Sequence, residues 1–124
     1  YKQFCGIPET SQLSEDEIDV RRLKEMIDNK MEFVLVDCRE QPEWELGNLE
    51  KYGAKLIPLS NIREGDIREL GNISKDKDIV IHCRSGRRSL EATEILKSKG
   101  YKHVKSVAGG IKAWSEEIDD SIVV

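Results

Sequence analysis

Asp78-Ile79-Val80-Ile81-His82-Cys83-Arg84-Ser85-Gly86-Arg87-Arg88-Ser89 is the stretch on which the reading of this chain turns. Its first half is a short continuous apolar run, the pattern of a strand buried on both faces. Its second half is a short polar loop with a glycine in the middle, and Ser89 to Lys99 then reads as a helix closed by Gly100. Cys83 therefore stands where a buried strand runs into the loop that opens a helix. A sulfur in that place faces backbone N–H groups not yet used by helical hydrogen bonds, and three arginines lie beside it. Both features favour the thiolate, which is the nucleophilic form of cysteine.

Working outward, strands and helices alternate. Ser14 and Glu17 offer a capping box for a first helix, in which Val20, Leu23, Met26 and Ile27 fall at helical spacing up to about Asn29. Phe33-Val34-Leu35-Val36 predicts a second buried strand, and Pro42-Glu43-Trp44-Glu45-Leu46 a short helix stopped by Gly47. Ala54-Lys55-Leu56-Ile57-Pro58 reads as a strand, and residues 60–72 as helical turns interrupted by Gly65 and Gly71. Val104-Lys105-Ser106-Val107 is a further strand. Gly109-Gly110 turns the chain into a last helix carrying Ile111, Trp114 and Ile118. This alternation predicts an α/β fold with a mostly parallel central sheet and helices on both faces, in which ligands bind beyond the carboxyl ends of the strands. Cys83 is at such an end.

Composition narrows the function. A chain of 124 residues holds one compact domain. Residues 1–13, broken by Gly6 and Pro8, read as a lead-in or linker from an upstream domain, and 14–124 as the domain itself. A net charge of −4 gives no basic footprint for nucleic acid or an anionic membrane, and no apolar run approaches the ~20 residues that span a bilayer. Cys5, Cys38 and Cys83 are odd in number and widely spaced, which speaks against a disulfide framework and for a reducing, cytoplasmic setting. Without a Cys-x-x-Cys pair, and with His82 and His103 far apart, no metal site is expected, and no cofactor.

The loop from His82 to Ser89 resembles the active-site loop of the rhodanese family, sulfurtransferases that carry sulfur as a cysteine persulfide. Three more segments are similar to that family in the same order. They are Leu35-Val36-Asp37-Cys38-Arg39 with Glu43-Trp44, then Leu56-Ile57-Pro58-Leu59, and Val107-Ala108-Gly109-Gly110-Ile111-Lys112-Ala113-Trp114. The resemblance covers residues 17–118. It implies the rhodanese-like fold, Cys83 as the sulfur-carrying nucleophile, and a cradle built from Arg84, Ser85, Gly86, Arg87 and Arg88. Asp37 and Arg39 are expected to support that region as a charge-assisted pair. One departure is Gly47-Asn48-Leu49, where the family often has Gly-His-Ile.

Further features refine what the resemblance implies. Related phosphatases on this fold have a loop one residue longer, with an arginine six positions after the cysteine; position 89 is serine here, so the shorter sulfur-handling loop fits better. The ends, Tyr1-Lys2-Gln3-Phe4-Cys5-Gly6 and Trp114-Ser115-Glu116-Glu117-Ile118-Asp119, resemble the sulfurtransferase module of two-domain adenylyltransferases of molybdopterin and thiamine biosynthesis. That likeness implies thiosulfate or a cysteine desulfurase persulfide as donor, and the C-terminus of a ubiquitin-like sulfur carrier as acceptor. The competing reading is a non-catalytic interaction or redox-sensing domain, in which Cys83 is at most an oxidation-sensitive switch. Cys38 reads as a small buried hydrophobe, Cys5 as an exposed thiol with a resolving role toward Cys83 as the alternative, and His82 as a residue that packs or hydrogen-bonds at the strand end rather than acting as a base.

Overall fold

The computed structural model describes residues 16–65, 67, 70 and 73–122. Five strands, β1 (Glu17–Ile18), β2 (Val34–Asp37), β3 (Lys55–Leu56), β4 (Asp78–His82) and β5 (His103–Val107), form one sheet in the order β1-β5-β4-β2-β3. Every pairing in it is parallel. Parallel neighbours need crossover connections, and these are supplied by α1 (Val20–Asp28), α2 (Gln41–Leu46), α3 (Leu59–Glu64) and α4 (Arg87–Ser98). The last helix, α5 (Gly110–Glu117), follows β5.

The sheet is buried on both sides because its strands alternate between two apolar clusters. Val36, Ile79, Ile81 and Val104 face one way, against Leu59 and Ile62 of α3 and Ala92 and Leu96 of α4. Leu35, Val80 and Val107 face the other way, against Val20, Leu23 and Met26 of α1 and Ile111 and Trp114 of α5. A strand sandwiched in this way has no wet face, which is why β4 reads as an unbroken apolar run rather than an alternating one. The α/β architecture expected from the sequence, a parallel central sheet with helices on both faces, is what the chain adopts.

Two local expectations change. The first helix starts at Val20, capped by the Asp19 carboxylate, which accepts the Arg22 N–H at 2.8 Å. Glu17 instead enters the sheet opposite Ser106, so it is a strand residue, and Ser14 lies outside the described residues. The pairing of β1 with β5 outweighs a local capping pattern, since an edge segment gains ladder hydrogen bonds that a cap cannot replace. Helix α4 begins at Arg87, two residues ahead of Ser89, with Gly86 in the left-handed region at φ 105°.

Beneath the far side of the sheet lies a buried ion pair. Arg39 Nη2 donates to Asp37 Oδ2 at 2.7 Å and to the Gly47 carbonyl at 2.6 Å, and the two residues are 1% and 0% exposed. The Arg39 backbone N–H also donates to Asp37 Oδ1 at 2.9 Å. One guanidinium thus ties the end of β2 to the loop that ends α2. The expected Asp37–Arg39 pair is present, and its hydrogen bond to Gly47 anchors the end of α2. Replacing Arg39 with Ala strands the Asp37 charge, so Arg39→Ala is expected to lower stability by about 3–5 kcal/mol. A urea midpoint would read this loss, and an unshifted midpoint would show the pair to be dispensable.

Candidate active site

Because all five strands are parallel, their carboxyl ends meet on one side, and the segments that leave β2, β3, β4 and β5 share that rim. Cross-links between them are backbone hydrogen bonds. Cys38 N–H donates to the His82 carbonyl at 2.9 Å, and Leu59 N–H to the Cys38 carbonyl at 3.0 Å. From α5, Ile111 N–H donates to the Cys83 carbonyl at 2.8 Å and Lys112 N–H to the Arg84 carbonyl at 3.0 Å. The first N–H groups of a helix lack internal partners, so α5 uses its orphan donors to pin the cysteine loop from outside.

Glycines make that approach possible. A Cβ on Gly110 would sit 2.3 Å from the Cys83 carbonyl oxygen, and Gly110 itself has φ +59°. A Cβ on Gly86 would lie 3.1 Å from Gly109 N and 3.2 Å from the Val107 carbonyl. The Gly109-Gly110 turn and the cysteine loop are therefore packed backbone to backbone, with no room for side chains between them.

Within the loop, Cys83 Sγ is the acceptor at the centre. Gly86 N–H donates to it at 3.0 Å and Ser89 N–H at 3.4 Å, and Ser89 Oγ lies 3.6 Å away. Left-handed Gly86 is what turns the first of these amides inward. Ser89 is braced by a 2.7 Å hydrogen bond between its hydroxyl and that of Ser106 on β5, both fully buried. The neighbouring thiol of Cys38 adds to the effect of these groups on the Cys83 sulfur.

These donors set the charge of the sulfur. The Cys38 thiol acts most strongly, and the Ser89 hydroxyl and the Ser89 and Gly86 amides add to it. Against the opposing cost of burial, they hold Cys83 at a pKa of about 4. The neighbouring Cys83 and, after it, burial push Cys38 the other way, so it stays a thiol. The proton belongs to Cys38 and the negative charge to Cys83.

The arginines play less of a part than their number suggests. Arg84 and Arg87 are exposed at the rim. Arg88 is half-buried and held by Glu43 of α2 through a bidentate pair, Nη1 to Oε1 at 2.7 Å and Nη2 to Oε2 at 2.8 Å. That pair brings the Glu43 carboxyl down to about 2 and raises Arg88 further, so both remain charged. The sequence pointed to the loop and its cysteine, whereas Cys38, Glu43, Ser89 and Ser106 emerge only in three dimensions. Ser89 was legible in hindsight as the helix residue one turn beyond left-handed Gly86.

His82 is fully buried on the opposite face from Cys83, and neither ring nitrogen has a partner. Burial holds its pKa below the usual histidine value, so it stays neutral and packs, as expected. Cys5 lies outside the described residues. Among the described residues no helix is long and apolar enough to cross a membrane.

The family description Rhodanese-like domain matches residues 19–117, with the loop and the Gly109-Gly110 turn inside the match. The chain belongs to the rhodanese-like domain family. This rhodanese-like domain is 32% identical over 127 residues to the Mycobacterium tuberculosis protein named "Probable adenylyltransferase/sulfurtransferase MoeZ", a match that takes in 100% of the chain and 31% of MoeZ. The chain thus spans about a third of that relative. It is 40% identical over 103 residues to the Bacillus subtilis protein named "Putative sulfurtransferase YtwF", covering 82% of the chain and 91% of YtwF. Among solved structures, a rhodanese-like domain protein from Staphylococcus aureus superposes with a TM-score of 0.69 at 29% identity, over 83% of the chain and 94% of that protein.

An ionised Cys83 predicts a distinctive pH profile. Alkylation of Cys83 by iodoacetamide should be nearly flat above pH 5 and fall only as pH drops through about 4, where the sulfur takes up its proton. An inflection near that of an ordinary thiol, about 8.5, would contradict the account. Cys38→Val removes the strongest donor and should move the inflection upward.

Proposed function

We propose that the chain is a rhodanese-type sulfurtransferase in which Cys83 carries sulfane sulfur as a persulfide. The observation that carries this reading is the sulfur of Cys83 facing the Gly86 and Ser89 amides at a strand end. Family membership and the sulfurtransferase names of its relatives support it.

The chemistry follows from the charge. The Cys83 thiolate attacks the outer sulfur of thiosulfate, forms an S–S bond, and expels sulfite with the electron pair of the bond that breaks. A cysteine desulfurase persulfide is the alternative donor, with a thiolate as leaving group. Low pKa makes Cys83 available as thiolate at neutral pH, and the amides that held its charge remain to hold the persulfide anion. In this reading Arg84 and Arg87, exposed at the rim, attract an anionic donor, and Arg88 with Glu43 fixes the side of the loop. Ser85 completes the loop backbone between them.

The proposed acceptor is the activated C-terminus of a ubiquitin-like sulfur carrier, in cytoplasmic biosynthesis of the molybdopterin or thiamine type. The full-length match to one part of an adenylyltransferase/sulfurtransferase favours it, since the other part of such a protein is an adenylyltransferase by name. No cofactor is needed for either half-reaction.

The experiment is to incubate the purified chain with thiosulfate and weigh it. The intact protein should gain one sulfur atom, mapped to the Cys83 peptide and discharged by cyanide as thiocyanate, whereas Cys83→Ser should gain none and give no thiocyanate. Sulfur uptake by Cys83→Ser, or none by the parent protein with any sulfane donor, would overturn the reading. Gly110→Ala should cut uptake by at least tenfold, because the new Cβ displaces the loop carbonyls that α5 holds.

A further inference from the structure

Cys38 helps to hold Cys83 as a thiolate but makes or breaks no bond in sulfur transfer, and its placement is specific. It is the residue after β2, as Cys83 is the residue after β4, and the two strands pair with Asp37 opposite His82. Carried one residue on, that register sets Cys38 opposite Cys83, and the hydrogen bond from Cys38 N–H to the His82 carbonyl at 2.9 Å holds the strand ends together. Adjacent strands lie ~4.8 Å apart. Disulfides bridge Cα atoms separated by roughly 4.4–6.8 Å.

Both sulfurs also lie on the same side of the sheet. Alternation places Cys38 with Val36 and Cys83 with Ile81, and all four belong to the cluster beneath α3 and α4. The two thiols also influence each other's protonation, Cys83 raising the pKa of Cys38 and Cys38 lowering that of Cys83. Both cysteines are free and buried, 0% and 1% exposed. For filling volume alone, a valine would serve at position 38.

We propose that Cys38 is the resolving thiol of Cys83, and that the two close a reversible intrachain disulfide when the site meets hydrogen peroxide. The inference rests on Cys83 being the reactive thiolate of the preceding section. In the first step the Cys83 thiolate attacks one peroxide oxygen, the O–O bond breaks, and hydroxide leaves. Cys83 is oxidised by two electrons to the sulfenic acid, and the peroxide is reduced. In the second, the Cys38 sulfur attacks Cys83 Sγ, the S–S bond forms, and the S–O bond breaks. The Cys38 proton leaves with the hydroxyl as water.

The coupling between the two sulfurs gives the steps their order. While Cys83 is an anion, its charge keeps the proton on Cys38. Conversion of Cys83 to a neutral sulfenic acid removes that repulsion, which makes the Cys38 sulfur a better nucleophile toward the oxidised site than toward the reduced one. The disulfide spares Cys83 from irreversible sulfinic acid and suspends sulfur transfer until a dithiol reduces it.

The test treats the reduced chain with a small excess of hydrogen peroxide and follows it by intact and peptide mass spectrometry. The expected result is the loss of two hydrogens, a Cys38–Cys83 cross-linked peptide, and thiosulfate-dependent sulfur uptake that disappears and returns with dithiothreitol. Cys38→Ser and Cys38→Val, two variants in case one folds poorly, should instead accumulate Cys83 sulfinic acid that dithiothreitol does not recover. Sulfinic acid forming in the parent chain as fast as in those variants would overturn the proposal. So would a Cys83 that peroxide leaves unchanged, or a cross-link to Cys5. A chain that forms the disulfide yet takes no sulfur from any donor would defeat the sulfur-transfer reading and leave this one standing; the converse result would do the reverse.

Discussion

The site depends on a small set of hydrogen bonds that end on one sulfur. Gly86 N–H at 3.0 Å and Ser89 N–H at 3.4 Å, with the Cys38 thiol, give the Cys83 anion in place of solvent what water would have given it. A buried charge without such donors would take up a proton instead. The fold can be understood as the arrangement that brings these donors to one point. A parallel sheet gathers its strand ends on one rim, left-handed Gly86 turns the first amide inward, and α4 begins where its unused N–H groups reach the sulfur.

That arrangement is held by contacts remote from the sulfur. The orphan N–H groups of α5 grip the Cys83 and Arg84 carbonyls, which requires Gly110 to be bare. The Ser89 and Ser106 hydroxyls, buried between α4 and β5, fix the depth of the loop. On the opposite flank, Arg88 is clamped by Glu43 in the first turn of α2, while Arg39 and Asp37 secure the far end of the same helix at Gly47. A polar network of this kind is rigid because each buried member that loses its partner costs free energy. Rigidity matters here, since the donors must already point at the sulfur before it acquires charge.

Much of this was legible in the sequence, and the reasons are physical. Ile79-Val80-Ile81 can only be a doubly buried strand, and Gly86 beside Cys83 signals a loop that doubles back. Gly109-Gly110 was legible as a tight turn, although not as the floor beneath the loop. The start of α1 was misread because Ser14 and Glu17 form a locally sound cap, whereas the Glu17–Ser106 pairing spans most of the chain and leaves no local trace. The partnership of Cys38 with Cys83 is hidden in the same way. Forty-five residues separate them, and only the parallel register of β2 and β4 makes them neighbours. The three arginines illustrate the converse: within five residues of one another in sequence, they divide in space into two at the exposed rim and one in an ion pair.

The most direct test of the account is an NMR pH titration of the backbone amide protons of Gly86 and Ser89. If both donate to a sulfur anion, their resonances should lie downfield at neutral pH and move upfield together with a midpoint near 4, as the sulfur is protonated. Amides that stay still through that range and shift only near the pKa of a free thiol, about 8.5, would contradict it.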